Sequence, residues 1–159
     1  MGFALSSMQV HSTAFANGTD IAKQFSTEGD DVSPPLAWTD APEGTKGFAV
    51  ICHDPDAPLI SANGTYGFVH WVHYNIPGNV SELPENCKAH TDGKNDFGNV
   101  AYGGPMPPDG HGTHHYYFWV IALKEETQFE PGLTMWELLE KIEPIAIGMN
   151  RTIGTYQRD

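Results

Sequence analysis

Three short stretches carry side chains able to do chemistry: HDPDAP at 53–58, HWVH at 70–73 and GGPMPPDGHGTHHYYF at 103–118. Carboxylates and imidazoles in such loops fit four chemistries: metal ligation, nucleophilic catalysis, anion binding, or turn-making with no ligand at all. HGTHH lacks the helical two-histidine spacing of HExxH, and DPDAPLISANG lacks the glycine and bidentate glutamate of a calcium loop. No serine stands in a GxSxG elbow, and Cys52 precedes His53 on a strand, so the two point to opposite faces. Cys52 is therefore expected as a small core residue.

Anion binding suits the residues best. A Gly/Pro loop exposes backbone N–H groups, histidines donate hydrogen bonds, and a carboxylate such as Asp54 or Asp56 beside an imidazole favours its charged form. Carboxylates also accept an amine, so a zwitterionic head group fits the same chemistry. The plainer readings stay open here: DPDAP as an Asp-stabilised turn, and His70 beside Trp71 as a satisfied core histidine.

The elements that position these residues are strands. In GFAVICHD, Phe48, Val50 and Cys52 alternate with Ala49, Ile51 and His53, and both sets are apolar enough for a strand covered on both sides. FVHWVHYNIPG reads as a second strand, with Phe68, His70, Val72 and Tyr74 on one face and Val69, Trp71 and His73 on the other. Regular pleating would thus keep His70 and His73 apart. In HHYYFWVIAL, His114, Tyr116, Phe118 and Val120 share a face, and His115, Tyr117, Trp119 and Ile121 share the opposite one. PGLTMWELLEKIEP predicts a helix, because Thr134 and Glu137 form a capping-box pattern and Met135, Leu138, Leu139 and Ile142 follow helical spacing. Pro144 ends or bends it, a short helical piece follows, and IGTYQR reads as a terminal strand.

Composition bounds the rest. The 159 residues fit one domain, and 17 Gly and 12 Pro favour short strands joined by turns. A net charge of -12 with only eight Lys and Arg excludes a nucleic-acid backbone partner and disfavours an anionic membrane surface. Cys52 lies in an apolar run and Cys87 in the polar loop ELPENCKAH, so no disulfide is expected and a reduced, cytoplasmic compartment fits. No stretch approaches the length of a membrane span and the start has no signal-peptide pattern, so no integral membrane contact is expected. The sequons at Asn17, Asn63, Asn79 and Asn150 read as chance.

DVSPPLAW, DPDAP, HWVHYNIP, NDFGNVAYGGPMPPDGHGTHHYYF and GTYQR, in that order from about Met8 to Arg158, resemble the phosphatidylethanolamine-binding proteins, also called Raf kinase inhibitor-like proteins, in their prokaryotic form. The resemblance implies a mainly β fold: a large antiparallel sheet packed on a smaller one, with a few peripheral helices towards the C-terminus. It implies a single domain, with residues 1–7 as an extension before the family's usual start. It also implies a small pocket for phosphate-like anions or phospholipid head groups, lined by Asp54, Asp56, His70, Pro108, Gly110, His114 and Tyr116. His53, His73 and His115 fall outside that pocket, and His111 stays unassigned. Pro144 interrupts a region where relatives carry a longer helix. The leading expectation is a non-enzymatic binding protein without cofactor or metal. The alternatives are an inhibitor of a kinase or protease acting through the surface around the pocket, and a hydrolase using the His/Asp cluster. A homodimer is a further expectation from the family.

Overall fold

The computed structural model describes residues 2–57 and 66–158. Pro58 of DPDAP and the Asn63 sequon lie outside the described residues. In chain order the strands are β1 (Gln9–His11), β2 (Thr19–Asp20), β3 (Leu36–Thr39), β4 (Gly47–Asp54), β5 (Phe68–Pro77), β6 (Glu82–Leu83), β7 (Thr91–Asp92), β8 (His114–Leu123) and β9 (Ala146–Tyr156). Among the described residues one α-helix, α1 (Met135–Ile142), precedes β9, with single 3-10 turns at Lys23–Phe25 and Glu143–Ile145.

The strands form a six-stranded sheet in the order β2-β9-β8-β4-β5-β7 and a three-stranded sheet in the order β1-β3-β6. The large sheet is antiparallel except at its edge, where β2 runs parallel to β9. Its central strands β4 and β8 are covered on both faces, which is why their sequences read as unbroken apolar runs. Phe48, Val50, Cys52, Phe118, Val120 and Ala122 face the small sheet, against Met8, Leu36, Trp38 and Leu83. Ala49, Ile51, Ile121 and Leu123 face the other way, against Leu133 and the buried Leu138 and Ile142 of α1. The alternation read for β4 and β8 is thus observed residue by residue.

The helix starts as its capping pattern predicts: Thr134 Oγ1 accepts from Glu137 N–H, and Glu137 Oε1 accepts from Thr134 N–H. Beyond it, β9 is far longer than IGTYQR, starting at Ala146 directly after the 3-10 turn at Glu143–Ile145. Two glycines, Met149 and Asn150 weaken the β signal of AIGMNRTIGTY, but pairing with the whole of β8 overrides local propensity. Gly154 is required by packing: a Cβ there would collide with the Ile21 side chain. Residues 2–7, read as an extension, are tied to β9. Ser6 N–H donates to Met149 O at 2.9 Å, and Phe3 packs on the cluster around α1.

The strict alternation expected for β5 fails. Its register against β4 slips between Cys52/Trp71 and His53/Val69, and again between Phe48/Ile76 and Val50/His73. Each slip is a bulge in which β5 carries one extra residue, and each reverses the face assignment beyond it. Trp71 and Ile76 consequently join the core between the sheets, whereas Val69, Val72 and Tyr74 join the cluster around α1. His70 packs its ring on Tyr116 of the first core, and His73 packs on Trp71. The pleating argument that separated His70 from His73 is overturned by the first bulge.

Candidate functional site

A cavity of about 190 Å³ opens beside the end of β4 and the start of β8, lined by Asp54, Ala57, Phe68, His70, Phe97, Met106, Pro107, Pro108, His114 and Tyr116. Its polar groups come from three neighbouring strands of the large sheet. Asp54 ends β4, where the chain turns through DPDA and Asp56 N–H donates to Asp54 Oδ1 at 2.8 Å. The other oxygen of that carboxylate accepts from His114 Nδ1–H on β8 at 2.6 Å. With Nδ1–H committed to Asp54, His114 turns Nε2 toward His111 Nδ1, 2.6 Å away.

His70 reaches the cavity through the first bulge of β5. Its Nδ1–H donates to Gly103 O at 2.7 Å, and Gly103 N–H returns a bond to His70 O at 2.9 Å. Burial at 3 % exposure lowers the His70 pKa from 6.5 to about 4, outweighing the upward pull of the Gly103 carbonyl and of Asp54. The imidazolium that an adjacent carboxylate was expected to favour is therefore disfavoured at this position. His70 stands neutral, with Nε2 as an acceptor.

Tyr116 is only 1 % exposed, and its hydroxyl finds no hydrogen-bond partner among the described residues. Burial first, and Asp54 second, push its pKa far up, so it stays a phenol and a donor. A buried donor without an acceptor costs about 1–3 kcal/mol, which makes this atom the point where the site is incomplete. Around it the walls are apolar: Phe68 and Phe97 meet edge to face at 4.7 Å, and both rings lie against His70.

The long segment from Asn95 to Thr113 is held by side-chain hydrogen bonds rather than by a ladder. Asn95 Oδ1 accepts from Phe97 N–H and Asn99 N–H, and its amide donates to Ala101 O. Gly104 N–H donates to Asp31 Oδ1 at 2.7 Å, and Tyr102 OH to Phe25 O at 2.7 Å. This fixes Gly103 under His70 and the proline stretch over the cavity mouth.

Five of the seven residues implied by the family resemblance, Asp54, His70, Pro108, His114 and Tyr116, come together around the cavity. Asp56 and Gly110 do not. Asp56 is exposed and accepts from both the backbone N–H and Nδ1–H of His115 at 2.7 Å, on the opposite face of β8. Gly110 lies at the exposed tip of the loop with φ +71°. Ala57, Phe68, Phe97, Met106 and Pro107 were missed as lining. The face shared by Phe68 and His70 was the available signal for one of them, and nothing local marks the others. Cys52 is buried with its pKa pushed well up by desolvation, as expected of a core thiol. Cys87, placed by its sequence in a polar loop, is buried as well; both cysteines are free.

The cavity and the two-sheet β fold define the class of protein, and the comparisons with known proteins narrow it. The phosphatidylethanolamine-binding protein family matches residues 11–157. A UPF0098 protein of Aquifex aeolicus is 43% identical over 159 residues, covering 96% of this chain and 90% of the relative. The crystal structure of a phosphatidylethanolamine-binding protein homologue from Chlamydia trachomatis superposes with a TM-score of 0.86 at 36% identity, covering 96% of this chain and 98% of that one. Escherichia coli YbcL, described as a member of the mammalian family, gives a TM-score of 0.86 at 31% identity, with 97% and 100% covered. The chain belongs to the phosphatidylethanolamine-binding protein family. Within it, the similarity is to the prokaryotic UPF0098 and YbcL-like proteins. Among the described residues no helix is long and apolar enough to cross a membrane.

Proposed function

We propose that this protein binds the phosphate-like group of a small anion or phospholipid head group in the cavity between Asp54, His70, His114 and Tyr116, without chemical conversion. The observation that carries the reading is the Tyr116 hydroxyl, a buried donor with no partner among the described residues, at the wall of a cavity otherwise lined mainly by apolar side chains. An anionic oxygen would accept from Tyr116. A second would accept from His114 Nε2 once His111 has swung aside and His114 has taken up a proton, the resulting imidazolium being balanced by the Asp54 carboxylate 2.6 Å away. His70 Nε2 would accept, from the P–OH of a phosphate monoester or from an ammonium such as that of ethanolamine. The volume of about 190 Å³ is smaller than the roughly 300–1,000 Å³ of drug-sized sites, so the head group enters and any acyl chains stay outside.

Titration with inorganic phosphate and with phosphoethanolamine, followed by NMR of the histidine rings, tests this. His114, His111 and Tyr116 resonances are expected to move together at millimolar ligand, and unchanged resonances refute the reading.

A protein partner, a kinase or a protease, is the second reading, supported by Met106, 53 % exposed, and Phe97 at the cavity mouth. Under it, replacing Met106 by Ser abolishes inhibition while phosphate binding persists. The hydrolytic reading rests on the His114–Asp54 pair alone, which has the form of an oriented base. A phosphoesterase screen separates it from binding.

A further inference from the structure

Away from the cavity, three side chains with metal-binding atoms converge: His73 on β5, and Cys87 and His90 from the loop between β6 and β7, with donor atoms within 4.8 Å of one another. None of them lines the cavity. We infer that His73, Cys87 and His90 form a binding site for one thiophilic transition-metal cation, Zn²⁺ foremost, with a fourth position left to water or an exogenous ligand.

The distances suit such an ion. Zinc bonds of about 2.05 Å to nitrogen and about 2.3 Å to sulfur at a tetrahedral angle require donor separations of about 3.3 Å for N···N and about 3.6 Å for N···S. His73 Nε2 lies 3.2 Å from His90 Nδ1 and 3.9 Å from Cys87 Sγ. His90 is exposed, so its ring can turn to shorten the remaining edge and gives the ion a path in.

The support behind the three atoms is also what a metal site needs. His73 Nδ1–H donates to Asp92 Oδ1 at 2.8 Å, and the same oxygen accepts from Trp71 Nε1–H at 3.2 Å. That bond fixes the tautomer, so His73 Nε2 carries its lone pair toward Cys87 and His90, the carboxylate–histidine arrangement found behind zinc ligands. Cys87 is held by its own N–H on Ser33 Oγ and by Asn86 N–H on Ser33 O. His90 takes a left-handed φ of +67° to bring its ring over.

Without a cation, His90 Nδ1–H and the Cys87 thiol both face the single lone pair of His73 Nε2, which can accept from only one of them in line, and the thiol's other acceptor is Ala89 O at 3.8 Å. A cation among the three satisfies all of them: the thiol gives its proton to solvent, the two imidazoles bind as neutral rings, and one proton is released per ion. In sequence the cluster is marked by the Cys-x-x-His spacing of Cys87 and His90, with His73 brought in from β5. The same atoms also read as a Cys–His–Asp nucleophile set, but His90 occupies the His73 nitrogen such a set would need, and Cys87 is 5 % exposed.

The test uses the whole chain, stripped with chelator and kept reduced, and titrated with Co²⁺ and then Zn²⁺ against a chromophoric chelator. One equivalent of Co²⁺ is expected to raise a thiolate-to-cobalt charge-transfer band that Zn²⁺ abolishes, and Zn²⁺ is expected to protect Cys87 from alkylation. Cys87→Ser removes the band. Asp92→Asn weakens Zn²⁺ binding about 10–100-fold, the usual effect of losing such a supporting carboxylate. His90→Ala, at an exposed position, weakens it at least as much, whereas the double variant His111→Ala/His115→Ala binds as the parent does. Zn²⁺ affinity unchanged by both Cys87→Ser and His90→Ala, binding lost in the His111/His115 variant, or rapid alkylation of Cys87 that Zn²⁺ does not slow would each overturn the site.

Discussion

His70 links the fold to its own acid sensitivity. Its pKa falls from 6.5 to about 4 because the buried ring has lost its hydration, and the Gly103 carbonyl and Asp54 restore only part of it. The unfolded chain therefore binds this proton more readily than the folded one between these values. The contribution to stability is fully present above about pH 6.5 and is lost progressively as pH falls to about 4. At 1.36 kcal/mol per pH unit the loss is about 3 kcal/mol, a sizeable part of the roughly 5–15 kcal/mol that holds a domain together. His70→Asn is the informative perturbation: its amide can still donate to Gly103 O from near the Nδ1 position, but it does not titrate. Urea unfolding of both proteins from pH 7 to pH 4 isolates the residue, because every other titrating group is common to the two. The parent is expected to lose about 3 kcal/mol more than the variant across that window. Equal losses, or an NMR titration of His70 near 6.5, would refute the account.

Other expectations follow from single contacts. Tyr116→Phe removes a buried hydroxyl with no partner among the described residues, so it should raise the unfolding free energy by about 1 kcal/mol while weakening phosphate binding, a trade-off visible by comparing thermal melts with ligand titrations. Thr134→Ala breaks the reciprocal cap of α1 and should cost about 1 kcal/mol in chemical denaturation. Gly154→Ala drives a Cβ into Ile21 and should destabilise by roughly 1–3 kcal/mol, whereas the same change at Gly18 meets no atom and should show only the penalty of its left-handed backbone.

Much of this fold is legible in short windows. The two apolar strands β4 and β8, their opposite-facing side chains and the capped helix are all local patterns, and local patterns are what pleat and helical period translate into faces. The family motifs add the architecture of two sheets and bring Asp54, His70, His114 and Tyr116 into one expectation. β5 is where this reading breaks down: two bulges reassign its faces, and a bulge is set by the partner strand, not by the strand's own residues. The full length of β9 was hidden for a related reason, since its glycines and Asn150 are weak strand formers that only β8 recruits.

The sequence by itself determined which residues could do chemistry and, on regular strands, which of them share a face. Tertiary structure alone decided what those residues do. It gave Asp54 to His114 and Asp56 to His115, although the two carboxylates stand two residues apart. It buried His70 deeply enough to keep it neutral, left the Tyr116 hydroxyl without a partner among the described residues, and drew Cys87 out of a polar loop to meet His73. Periodicity is a property of neighbouring residues, whereas protonation and hydrogen-bond satisfaction depend on the solvent a group loses and on partners dozens of positions away.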